Sequence, residues 1–145
     1  MLASSLALGK SDAFVHLTDD LEAFARQAAR EGSSLYDVER GVLKRVLEIG
    51  HAAIEIFLQS QGEGDLGASI ETKTGTVLYR SEQTASRPLR TIFGDHCLQT
   101  YVYSRGQKRK IELRPIDARI NLPEGKSSYL LQEFSQLFCV EKAFG

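Results

Sequence analysis

The side chains most able to do chemistry are basic and lie close together. They are Arg87, Arg90, Arg105, Lys108, Arg109, Lys110, Arg114 and Arg119, with Tyr101 and Tyr103 among them. Lys and Arg neutralise backbone phosphates, and a tyrosine between them can pack against a sugar or a groove wall. Lys108, Lys110 and Arg114 recur at even spacing, so one strand face can carry all three, while Arg105 and Lys108 bracket a hairpin tip. Residues 80–119 hold nine basic and four acidic groups, net +5, against −5 for residues 1–79 and −1 for residues 120–145. A basic ribbon of this kind suits double-stranded DNA or another nucleic-acid backbone. The plainer alternative is a solvated sheet edge whose lysines discourage aggregation.

Other reactive groups are scattered. His96 and Cys97 would need His51, His16 or Cys139 to build a thiol or metal centre. No CxxC or CxxH spacing selects them, so Cys97 reads as a small buried thiol within a sheet. Asp37, Glu39, Glu48 and Glu55 lie around one helix, and Glu48 and Glu55 share a side, but they read as a solvated face rather than an acid–base pair. The Gly-rich run over 59–67, QSQGEGDLG, lacks a following Lys-Ser/Thr, and Glu63 and Asp65 would repel phosphate. The expectation is therefore no catalytic residue, no metal and no cofactor. With neither a signal-peptide pattern nor an apolar run of about 18 residues, the chain reads as a cytoplasmic protein without a membrane partner.

The elements that must position the ribbon follow from periodicity. The length fits a single domain over residues 1–145. Residues 1–17 read as a flexible or docking arm, and Thr18 as the N-cap of a first helix that Gly32 stops. Ser34, with Asp37 three residues on, opens a second helix and completes a helical part over 18–61. Period-two alternation over 70–121, cut by Gly-containing turns, predicts a small antiparallel β-meander, with Leu98, Thr100 and Val102 opposed to Gln99, Tyr101 and Tyr103. Ser127 or Ser128 caps a last helix over 127–142, its buried face being Leu130, Leu131, Phe134, Leu137 and Phe138. The fold class is α+β: N-terminal helices, a small antiparallel sheet and a C-terminal helix.

The second helix is apolar over a wide arc. Val38, Val42, Val46, Ile49, Ala53 and Phe57 form one stripe, widened by Leu43, Leu47, Ile54 and Leu58. An arc broader than one small sheet covers predicts self-association, with the stripe as the interface of a homodimer. Gly41 and Gly50 mark either a close approach of another backbone or a mild bend.

Several pieces occur in an order and spacing that resembles the N-terminal, non-catalytic region of bacterial and cyanobacterial ISKra-type insertion-sequence transposases. They are VLKRVLEIGHAAIEIFL, then GEGDLG, then Arg87 and Arg90 leading into Ile92-Phe93-Gly94, then the tyrosine strand ending at Tyr103, then ELRPIDARINLPEGKSSYLLQEFSQLFCVEKAFG. Together they cover residues 35–145. Asp117 and Leu122-Pro123 fit the family's "PLD…LP" region, with Ile116 where leucine is more usual. The resemblance implies a DNA-recognition or assembly domain acting at element ends, with a possible partner transposase subunit. It also implies that the RNase H-like domain holding the catalytic acids would begin after Gly145, so no catalytic acid is carried onto this chain. Some relatives have cysteines suggesting a zinc ribbon, but Cys97 stands alone here and no metal is carried over. Such a domain would be split from its catalytic half or encoded by a decayed element; the alternative is a homo-oligomeric structural or regulatory interaction module, recruited to another role and without DNA binding.

Overall fold

Residues 2–144 are described by a computed structural model, with side chains described for residues 12–139. The contacts sort into two compact units, Met1–Phe57 and Leu58–Gly145. The element types are those of the α+β class: helices, then antiparallel strands, then a closing helix.

The first unit is a helical hairpin. Helix α1 spans Leu2–Glu31 and α2 spans Leu35–Gln59, the last residues of α2 belonging to the second unit. Thr18 is not a cap. It sits mid-helix, and its hydroxyl donates to the Val15 carbonyl at 2.8 Å, the back-bonding open to a threonine inside a helix. The arm expected over 1–17 falls largely on residues whose side chains lie outside the described set. Gly32 ends α1 in the left-handed conformation, φ +67°, and the Ser33 N–H reaches back to the Ala28 carbonyl. Ser34 caps α2: its Oγ accepts the Asp37 N–H at 3.2 Å and donates to the Asp37 carboxylate at 2.9 Å.

The two helices are held together around one aromatic ring. Phe24 of α1 lies against Gly41 of α2, so close that a Cβ there would fall 2.2 Å from the ring. The Arg45 guanidinium covers the ring at 3.8 Å from its centroid and pairs with Asp20 at 3.1 Å. Gly41 is thus a site of close approach rather than a bend. Helical spacing places Val38, Val42 and Ile49 on the same side of α2 as Gly41 and Arg45, and all three are partly shielded. Leu43, Val46, Leu47 and Phe57 remain exposed on another face.

In the second unit the expected meander is two separate sheets. Strands β1 (Ser69–Glu71), β2 (Val77–Arg80), β5 (Tyr103–Ser104) and β6 (Ile111–Leu113) form a four-stranded antiparallel sheet in the order β1-β2-β5-β6. Strands β3 (Ala85–Thr91) and β4 (Gly94–Thr100) make an independent hairpin inserted between β2 and β5. Its inward side chains are Arg87 and Leu89 on β3, and His96, Leu98 and Thr100 on β4. Cys97, expected to be a buried thiol, occupies an outward position of that strand and is exposed.

The alternation slips at Tyr101-Val102, which belong to no strand, so Val102 and Tyr103 are both buried. Tyr103 is wholly enclosed with Ile116. Burying side chains of that size stabilises by about 1.5–3 kcal/mol each. The Tyr103 hydroxyl donates to the Gly67 carbonyl at 2.7 Å and accepts the Leu66 N–H at 2.8 Å, tying the Gly-rich loop to the core. Within that loop Gly64 lies at φ +72°, with Thr100 and Ile116 each 3.2 Å from where a Cβ would stand. Its glycines therefore answer to packing and turning.

Residues after β6 do not stay extended. Helix α3 spans Pro115–Ile120, with Pro115 in its first turn and Asn121 closing it at φ +53°. The following segment runs beside β3, with the Arg90 N–H on the Lys126 carbonyl and the Ser128 N–H on the Arg90 carbonyl at 2.7 and 2.8 Å. Helix α4, Tyr129–Phe144, is capped by the Ser128 hydroxyl, which accepts the Leu131 N–H. Its supposed buried face is mostly open: Leu130, Phe134, Leu137 and Phe138 are exposed and Leu131 is partly shielded.

Candidate nucleic-acid interface

The basic residues separate into three environments. Arg87 is internal. Its Nε pairs with Asp117 at 3.0 Å, and its two terminal nitrogens donate to the carbonyls of Pro88, Gly125 and Pro123. Both side chains are nearly enclosed, 7% and 16% exposed, so Arg87 cannot also meet a nucleic acid. Tyr103 drops out of the proposed contact set for the same reason, because it is buried and its hydroxyl is fully engaged. Tyr103 was placed outward because strict alternation cannot register a strand that ends and restarts, and Arg87 was counted with the free cations because its acid, Asp117, comes from another element.

A second group is exposed but engaged. Arg90 pairs loosely with Asp95 at 3.6 Å, and Arg105 with Glu112 at 3.0 Å. Arg119 is tied to Gln61 through that residue's side-chain and backbone oxygens. Arg114 is half-buried where α3 begins.

The third group is the tip of the β5–β6 hairpin. Lys108, Arg109 and Lys110 are consecutive, exposed and without an acidic partner among the described residues. Lys108 adopts φ +58°, and the Arg109 N–H closes a turn on the Gly106 carbonyl at 3.2 Å. Three uncompensated cations on a short protrusion make a local positive pole.

Beside this tip lies a cleft of about 600 Å³, bordered by Tyr79, Arg80, Glu82, Ser104, Lys108 and Ile111 among others. Tyr79 lies on β2, remote in sequence from the tip, and Arg80 beside it opens the basic block of residues 80–119. Arg80 is fixed from two sides. It pairs with Asp65 at 2.8 Å and lies over the Tyr101 ring at 4.9 Å. Asp65 is held below the usual carboxylate range, first by the Gly67 N–H and then by Arg80, while Asp65 raises the Arg80 guanidinium. Tyr101, expected at the interface, is thus partly shielded beneath Arg80.

No group of three or more His, Cys, Asp or Glu among the described residues could hold a metal ion. Among the same residues no helix is long and apolar enough to cross a membrane. No protein-family model, curated protein sequence or solved structure matches the chain.

Proposed function

We propose that this chain is a DNA-binding and assembly domain, cytoplasmic and without catalytic chemistry of its own. The observation that carries the reading is the run of three exposed, unpaired cations at the β5–β6 tip. Phosphate contacts supply most of the sequence-independent affinity for DNA, and a cation already committed to a neighbouring carboxylate contributes less. The resemblance to transposase N-terminal regions points to element ends as the target and to a transposase subunit as a partner. The contact set is narrowed to Lys108, Arg109 and Lys110, with Arg105, Arg114 and Arg90 in supporting positions.

A salt titration of duplex DNA binding tests it. Each lost phosphate contact lowers the slope of log K against log salt by about one unit, so Lys108→Glu/Lys110→Glu lowers it by about two and weakens all sequences alike. Equal binding by the double variant, or no binding by folded wild type at about 50 mM salt, sinks the reading.

A second reading has its own support in the open apolar faces. Leu43, Val46, Leu47 and Phe57 on α2, and Phe134, Leu137 and Phe138 on α4, favour a protein-interaction module that works with or without DNA. Within either reading we assign the homodimer contact to the exposed face of α2. Val46, Ala53 and Phe57 stay in that interface, while Val38, Val42 and Ile49 serve the helical hairpin. Light scattering at high micromolar concentration gives a mass above the 16.1 kDa of one chain, and Leu43→Glu/Leu47→Glu returns it to that value. A monomeric wild type refutes the assignment, and pull-down of a transposase by a variant that no longer binds DNA favours the interaction module.

A further inference from the structure

We propose that the outer face of the four-stranded sheet receives one unpaired nucleotide of a DNA strand, its base lodged between Tyr79 and Ile111 and its phosphate on the Lys108–Arg109 tip. The inference rests on the nucleic-acid reading above and adds which form of DNA the site prefers.

The register builds the slot. Tyr79 pairs with Ser104, and Ser104 with Ile111 where the β5–β6 register shifts after Tyr103, which brings the three residues into line across β2, β5 and β6. All three border the same open cleft: Tyr79 is 51% and Ile111 36% exposed, while the intervening Ser104 is small. Strands two apart are separated by about 9.6 Å. A planar ring in contact on both sides at about 3.5–4.0 Å occupies about 7–8 Å of that. A larger residue at 104 would fill the row, and serine leaves it open.

The borders suit the two halves of a nucleotide. Lys108 and Arg109 edge the cleft without acidic partners and attract a phosphate. Glu82 also borders it, and a carboxylate repels phosphate but accepts a hydrogen bond from a base amino group. Arg80 adds little net charge because Asp65 neutralises it. At about 600 Å³ the cleft lies within the range of pockets that hold small molecules. Tyr79 supplies the stacking face on which unpaired bases commonly rest. A base inside a duplex is stacked and paired, so it cannot enter. Duplex phosphates can still reach the tip.

The test measures anisotropy of three labelled DNAs with the full chain: a blunt duplex, the same duplex with a single-stranded overhang, and that overhang made abasic. The overhang is expected to tighten binding about tenfold, in keeping with the stacking contribution of one base, and the abasic overhang to show no gain. Tyr79→Ala removes the gain and leaves blunt-duplex binding within about twofold, while Tyr79→Phe keeps the gain because the ring remains. Tyr79 is exposed, and matching thermal melts confirm that both variants are folded. Equal wild-type binding to blunt and overhang DNA, or a Tyr79→Ala loss shared by all three DNAs, overturns the nucleotide slot and leaves the duplex reading standing. Failure of wild type to bind any of them at about 50 mM salt overturns both.

Discussion

Replacing Arg87 with methionine is expected to destabilise the second unit rather than to strip a DNA contact. The guanidinium serves the Asp117 carboxylate and three backbone carbonyls at once. Methionine keeps much of the volume but none of the donors. It strands Asp117, whose Oδ1 is already buried without a hydrogen-bond partner and whose Oδ2 would lose its guanidinium. Removing one member of a buried ion pair costs about 3–5 kcal/mol, most of it the uncompensated charge left behind. Both partners are well under one-third exposed, so solvent screening takes little from that figure. At about 4–8 °C per kcal/mol for a unit of this size, the melting temperature falls by at least about 12 °C. Circular dichroism during a thermal ramp measures it. Arg87→Lys retains the charge without the forked geometry and recovers part of the loss. Arg87→Met/Asp117→Leu recovers more, because a well-packed apolar pair can replace a buried ion pair at little cost. A shift under about 4 °C for Arg87→Met, or a double variant no better than the single, would refute the clamp.

Two further outcomes follow from the same unit. Tyr103→Phe removes the hydroxyl that joins Leu66 and Gly67 through two part-buried hydrogen bonds; a loss of about 0.5–1.5 kcal/mol is expected by urea unfolding, and a neutral result would show that the loop does not depend on this tie. Asp65 is acid-sensitive. Its carboxyl is depressed in the folded chain, so its contribution is fully present above its ordinary value of 3.8 and is lost as pH falls through the lower folded value. Asp65→Asn therefore flattens the acid limb of a urea-midpoint profile below that pH, and identical profiles for variant and wild type would remove the Arg80 pair from the account.

Much of the local structure is legible in the residues alone. Gly32, and Ser34 with Asp37, mark the break between α1 and α2. Gly75 marks the β1–β2 turn, and Ser128 the start of α4. These signals work because caps and tight turns are decided by dihedral preferences and hydrogen bonds spanning only a few residues. Helix α3 carries the same kind of signal in Pro115 and Asn121, but six residues are too few to show a helical period against neighbouring extended chain.

The candidate site depended on longer reach. The charge run over 80–119 is visible in sequence, yet which of its cations stay free is not. Asp117, which consumes Arg87, lies 30 residues away, and Asp65, which fixes Arg80, lies 15 away on the other side. Tyr103 turned inward because the chain breaks its alternation at Tyr101-Val102 and starts a strand in a different sheet. Tyr79 entered the site only when β2 paired with β5. The sequence by itself determined the break between α1 and α2 and the start of α4, because those are settled between near neighbours. Tertiary structure alone decided which tyrosine is covered and which arginine is spent, because burial and charge pairing depend on partners that only the folded chain brings within a few ångströms.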